Sequence, residues 1–243
     1  MNTQFRTPWW AFLLLTLRMT SPAFAADAPT PTSTALVQGI SAEEIVTRMR
    51  QNNSVRAAAL SAYDGTRSYS LSYRGFPSDR EAHEDVVAHY TAPESKSFEV
   101  ISGRGSKMIQ SKVFAKLLES EREAAHAENQ RQTALTPDNY TFTLVGSRPS
   151  PNGGCYLLGV EPLRENKFLY RGEICVNAAD FAVESIDAEP AKSPSFWIKK
   201  TRIDHRYRKI GQFWLPASNH TVTSMRMGGT ATMDIMYSEY DLR

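Results

Sequence analysis

The chain has 243 residues, 41% of them hydrophobic, and a formal charge of only +2 from 28 lysines and arginines against 26 aspartates and glutamates. Acidic and basic residues are interspersed, so the charge pattern carries no electrostatic footprint for nucleic acid or for an anionic membrane surface. A chain of this size is long enough to bury one substantial core.

The first residues read as an export signal. Arg6 precedes the apolar run Trp9–Leu17, and Ala23-Phe24-Ala25 offers the small residues that a signal peptidase reads. The run is about nine residues, whereas a bilayer-spanning helix needs roughly 20. The expected organisation is a signal peptide over 1–25 cut after Ala25, a proline- and threonine-rich linker over 26–40, and one exported domain over 41–243. A buried N-terminal helix is the alternative, and Asp27–Thr34 (DAPTPTST) speaks against it.

Ser41-Ala42-Glu43-Glu44 matches a capping box, in which serine and the glutamate three positions on each satisfy a free amide at a helix start. Ile45, Val46 and Met49 follow at helical spacing, and the helix is expected to run over 41–63, towards the turn signal Asp64-Gly65. A second helix is expected over 112–128, with Val113, Phe114, Leu117, Leu118 and Ala125 on one stripe.

Most of the remainder alternates with period two, the pattern of strands that show one face to a core. Tyr69, Leu71 and Tyr73 alternate with serines; Tyr140, Phe142 and Leu144 with threonines; Ala231, Met233, Ile235 and Tyr237 with mostly polar residues. Further strands are expected over 84–90, 97–102, 154–162, 167–177, 183–188, 196–210 and 213–227. The fold class is therefore α+β, mostly β: a strongly curved antiparallel half-barrel of about ten to eleven strands, with helices covering its concave face.

A hairpin of 154–162 with 167–177, centred on Glu165, makes one face wholly apolar: Tyr156 opposes Ile174, Leu158 opposes Gly172 and Val160 opposes Tyr170. That register also sets Cys155 opposite Cys175. In an oxidising compartment the two should form a disulfide, stabilising the domain by roughly 3 kcal/mol, although two free thiols are also compatible with the pattern. Two cysteines without histidines at short spacing complete no zinc shell, so no metal is expected.

Catalytic constellations are weak, and no enzyme activity or cofactor is expected. His83-Glu84-Asp85 lacks a second histidine one helical turn on, and Gly103-Arg104-Gly105-Ser106-Lys107 lacks P-loop spacing and reads as a turn. No Gly-x-Ser-x-Gly elbow occurs, and Asp204-His205 reads as a surface neighbour pair. The positive signal is apolar. Phe196-Trp197-Ile198 and Phe213-Trp214-Leu215 place bulky groups consecutively, so strands there show large groups on both faces. Met225, Met227, Met233 and Met236 suit an adaptable cavity wall, although such residues serve an ordinary core equally well.

The order of helix, strands, helix-bearing insertion and a long run of strands resembles the LolA/LolB-like fold of lipoprotein carriers. Lys167–Asn177 (KFLYRGEICVN), Pro194–Lys200 (PSFWIKK), Phe213–Ser218 (FWLPAS) and Met236–Tyr240 (MYSEY) are similar to motifs of bacterial outer-membrane lipoprotein-sorting-like proteins, and the resemblance covers 41–243. It implies a monomeric periplasmic carrier that takes the acyl chains of a lipid or lipoprotein between lid and sheet, for transfer towards the outer membrane, with a membrane-associated delivery or acceptor protein as a further partner. A periplasmic sensor or regulatory binding protein on the same fold is the alternative, and a hydrolase the third choice. The residues expected on the cavity wall are Met49, Leu60, Tyr69, Leu71, Phe114, Leu118, Tyr156, Leu158, Tyr170, Ile174, Trp197, Met233 and Ile235.

Overall fold

The computed structural model describes residues 39–193 and 195–243. The expected signal peptide lies outside the described residues, as does all but the end of the linker. Helix α1 (Ala42–Ala59) leads into three strands, β1 (Ala62–Arg74), β2 (Arg80–Thr91) and β3 (Ser95–Gly105). A helical crossing follows: α2 (Lys107–Ile109), a π-helical turn (Gln110–Phe114), α3 (Ala115–Ala125) and α4 (Ala127–Thr133). Seven strands then return in sequence: β4 (Tyr140–Arg148), β5 (Cys155–Pro162), β6 (Tyr170–Asn177), β7 (Val183–Pro190), β8 (Ile198–Ile210), β9 (Phe213–Met225) and β10 (Thr230–Leu242).

All ten strands form one antiparallel sheet in the order β3-β2-β1-β10-β9-β8-β7-β6-β5-β4. The helical crossing connects the two outermost strands, so it has to traverse one face. One row of paired residues runs across that inner face: Tyr69, Ile235, Asn219, His205, Ile186, Ile174, Leu158 and Leu144. Six of these are apolar or aromatic, and the two polar ones fall together on β9 and β8.

Two separate cores account for this break. Ile45, Val46 and Met49 of α1 pack against Tyr140, Leu158, Ile174 and Val176 of β4–β6. Ile109, Phe114 and Leu118 of the helical crossing pack against Tyr69, Leu71, Ala82, Val86 and Ile235 of β1, β2 and β10. Each helical segment covers one half of the sheet.

Local boundaries depart from the sequence expectations in four places. Ser41 caps α1 by accepting from the Glu44 amide at 3.1 Å, but the helix stops at Ala59, and Asp64-Gly65 lies within β1. The backbone is extended at Leu60 because β1 must begin pairing with β2 at Ala62. Residues 103–105 close β3, and the turn falls at Ser106, which caps α2. The second helix accordingly begins before 112, and it breaks at His126 before resuming as α4. Phe196 and Trp197 precede β8 in a turn.

The β5–β6 register is displaced by two residues from the expected one. Leu158 pairs with Ile174, Val160 with Gly172, and Cys155 with Asn177. Residues 163–169 form a longer connection because Leu169 turns inward and is buried in the α1 core. A shift of two keeps every side chain on its face, so the cysteines remain neighbours on a diagonal. Cys155 and Cys175 form a disulfide with Cα atoms 5.5 Å apart. Both are buried. The bond closes a loop with a sequence separation of 20, so reduction is expected to lower unfolding stability by about 3 kcal/mol. Urea midpoints with and without reductant check this; equal midpoints would contradict it.

Candidate functional site

The inner face of β1 carries Tyr63, Gly65, Arg67, Tyr69 and Leu71, all buried, and Arg67 is the one charge among them. Its guanidinium donates to Glu121 of α3 at 2.7 Å and to the Tyr69 hydroxyl at 3.3 Å. It also lies between the rings of Phe98 and Tyr237, 5.2 and 5.0 Å from their centroids. Lys96 of β3 donates to the same Glu121 oxygen at 3.0 Å. Burial opposes the Arg67 charge, but Glu121 and the two tyrosines outweigh it and raise the pKa. Burial likewise opposes ionisation of Glu121, and Lys96 with Arg67 more than offsets that, holding its carboxyl below the usual range. Burial pushes the Tyr69 hydroxyl up to about 12.

Next to this ion cluster the polar pair of the inner face is joined. Asn219 and His205 meet at 2.9 Å through His205 Nδ1, while His205 Nε2 is buried without a partner. Burial drives the His205 pKa down to about 4, so the ring is neutral near pH 7. Asp204 points to the opposite face, where it binds Arg206; the two neighbours do not act as a pair. Among the described residues, no three His, Cys, Asp or Glu side chains are placed to hold a metal ion.

From this polar seam, a groove of about 710 Å³ opens along the inner face towards the end of the sheet where β1 meets β2 and β9 meets β10. Leu71 of β1, Met233 and Ala231 of β10, and Thr221 and Thr223 of β9 line it from the sheet. Met108, Ile109 and Val113 of the helical crossing cover it, and Phe76, Trp197 and Met227 stand at its mouth. Its volume lies within the ~300–1,000 Å³ of small-molecule sites, and its wall is chiefly hydrocarbon, sulfur and aromatic carbon.

The residues expected on a cavity wall divide by location. Leu71, Trp197 and Met233 line the groove. Leu60 lines two smaller depressions at the end of α1. Tyr69, Phe114, Leu118 and Ile235 fill the core beneath the helical crossing. Met49, Tyr156, Leu158 and Ile174 are buried under α1, with Tyr170 packed against them. Met108, Val113 and Phe76 were not anticipated; of the methionines read as suiting a cavity wall, Met225, Met227 and Met233 lie on the groove and Met236 is exposed. For Met108 the signal was available, because it lies one turn before Lys112, where the helical stripe was expected to begin.

No protein-family model matches the chain, and no curated protein matches it. Among solved structures it is similar to an outer membrane lipoprotein-sorting protein domain from Vibrio parahaemolyticus, at 10% identity over 83% of this chain and 93% of that one, with a TM-score of 0.41. It is also similar to a LolA superfamily protein from Nitrosomonas europaea (10% identity, 84% and 94% covered, TM-score 0.36). A third is a DUF1329 family protein from Desulfovibrio piger (12% identity, 83% and 93%, TM-score 0.39). Proteins of the LolA superfamily are thus among those this chain is similar to. Likenesses at these identities and scores assign no activity, which has to come from the chain's own side chains.

Two outcomes follow from the buried polar groups. Glu121→Ala leaves the buried Arg67 charge beside Lys96 with no anion between them and is expected to cost about 3 kcal/mol or more, whereas Glu121→Leu combined with Arg67→Met recovers most of the loss; urea unfolding of both variants decides. Below pH 6.5 the unfolded chain protonates His205 while the folded chain resists until about pH 4. The folded state therefore loses about 2 kcal/mol between pH 7 and pH 5 through this ring, and His205→Asn should remove that part of the slope.

Proposed function

We propose that this protein is a periplasmic carrier that holds the acyl chains of a lipid or lipoprotein in the groove between β9, β10, β1 and the helical crossing, for transfer towards the outer membrane. The observation that carries the reading is the groove itself: an open, apolar channel of about 710 Å³ whose mouth is ringed by Phe76, Trp197 and Met227. A hydrocarbon chain entering it leaves water, at about 0.8 kcal/mol for each methylene buried. Among the described residues that line it Arg80 carries the one charge, and binding is sufficient to explain this composition.

The roof is fastened unequally. At the α3 end, Glu121 is held by Arg67 and Lys96, and Glu123 accepts from Lys167 at 2.6 Å. Over the groove, Met108 and Val113 lie on the α2 segment and the π-turn, where the regular helical ladder is interrupted. Loading and release then require motion of the α2 end alone, with α3 as the fixed end. A disulfide and an N-terminal export signal both fit an oxidising compartment outside the cytoplasm.

Native mass spectrometry of protein recovered from a host with two membranes, followed by solvent extraction, is expected to return a lipid of defined mass bound one to one. Repeatedly empty protein would contradict the proposal, and a stoichiometric protein without lipid would favour a sensor or regulator. With fatty-acyl probes of increasing length, affinity should rise about fourfold per methylene until the groove is filled. Ala231→Trp, which places an indole in the groove, should lower it at least about tenfold with an unchanged circular-dichroism spectrum.

A further inference from the structure

The mouth of the groove is built to be displayed. Phe76 is 79% exposed, Phe196 76% and Met227 71%, with Trp197 and Met108 more than half exposed beside them. Large apolar side chains concentrated on one rim mark an interaction surface, where scattered ones would not.

These side chains sit on turns that are tied together. The Tyr73 hydroxyl donates to the Phe76 carbonyl at 2.6 Å. Arg226 donates from its backbone amide to the Trp197 carbonyl at 2.8 Å and from Nε to the Phe196 carbonyl at 2.7 Å, with its guanidinium over the Phe196 ring. The β1–β2 and β9–β10 turns meet glycine to glycine: a Cβ on Gly75 would come within 2.5 Å of the Gly229 Cα. Three connections therefore present Phe76, Met227 and the Phe196–Trp197 pair as one preorganised surface.

The charge around this rim is one-sided, which the overall +2 conceals. Strand direction brings Arg80, Lys107, Lys192, Lys199 and Arg226 to this end of the sheet. Among the described residues none of the five forms an ion pair, whereas Asp79 and Glu81 are both engaged by Arg74. Aromatic and thioether side chains fringed by lysine and arginine are the composition of an interfacial anchor. The apolar groups enter the headgroup boundary and the cations meet anionic lipid.

We infer that this rim docks on the surface of a bilayer containing anionic phospholipid, so that the groove opens directly onto the layer from which acyl chains enter or into which they leave. The inference rests on the acyl-carrier reading for its purpose, but its evidence is the displayed rim and its charge. Docking turns the exposed ring from a solubility liability into a contact, and it gives the α2 end of the roof a boundary at which to open.

The test uses protein recovered from the exported fraction of cells expressing the full chain, with Trp9, Trp10 and Trp214 replaced by Phe so that Trp197 is the reporter. Flotation with vesicles of phosphatidylglycerol and phosphatidylcholine is expected to carry the protein upward, with a blue shift of Trp197 emission. Pure phosphatidylcholine or high salt should weaken association. Phe196→Ser, which lies outside the groove lining, should reduce vesicle binding about tenfold or more while leaving binding of a fluorescent fatty-acyl probe unchanged. Protein that binds the probe yet stays off anionic vesicles would overturn docking and leave the carrier reading standing. Protein that floats equally well with and without Phe196, or that buries Trp197 by forming dimers in light scattering, would also overturn it. Vesicle binding that depends on Phe196 in protein that binds no acyl probe would keep the docking surface and remove the carrier reading.

Discussion

A curved sheet of ten strands presents one concave face that has to be covered, and the chain supplies too little helix to cover it. Much of the molecule follows from that shortage. Helix α1 closes the β4–β7 half around Ile45, Val46 and Met49, and the helical crossing closes the β1–β3 half around Ile109, Phe114 and Leu118. Where the two coverings meet, along β9 and the start of β10, the inner face lies under only the α2 end of the helical crossing. The deep part of that strip holds polar groups, Arg67 with Glu121 and His205 with Asn219, and the shallow part is apolar and open.

The deep part explains why an expensive arrangement persists. Burying Arg67 and Glu121 costs several kcal/mol for each ion before their attraction is counted, and an apolar pair would hold α3 at least as firmly. What the ions add is position. Glu121 finds its two cationic partners in only one placement of the helix, whereas Leu118 and Phe114 alone tolerate sliding over an apolar floor. A roof with one fixed end and one end free to lift needs such a register mark. The cluster and the groove are therefore two consequences of the same incomplete coverage.

How much of this is legible in the residues depends on the range of the interaction concerned. Period-two alternation marks the strands because each reports its own burial, and the capping serine at 41 marks α1 for the same local reason. The disulfide pairing survives a register error of two because faces repeat with that period. What stays hidden is long-range. Arg67 reads as one more polar residue in a serine–tyrosine alternation until α3 delivers Glu121 to it, and His205 reads as a surface neighbour of Asp204 until Asn219 of the next strand claims it. The bulky pair Phe196-Trp197 reads as part of a two-faced strand, but it lies in a turn at the rim, where the β7–β8 connection meets the β9–β10 turn. The groove is harder still, since its wall draws on β1, β9, β10, the helical crossing and two turns, and no single segment bears its pattern.

The account comes down to whether a hydrocarbon chain occupies the groove beneath the α2 end of the crossing. A fatty acid carrying a diazirine near its terminal methyl, irradiated with the intact protein and mapped by peptide mass spectrometry, reads the position directly. Adducts on Met108, Met233, Leu71 or Thr223 are the predicted result. Adducts confined to the α1 core or scattered over the outer face of the sheet would contradict it.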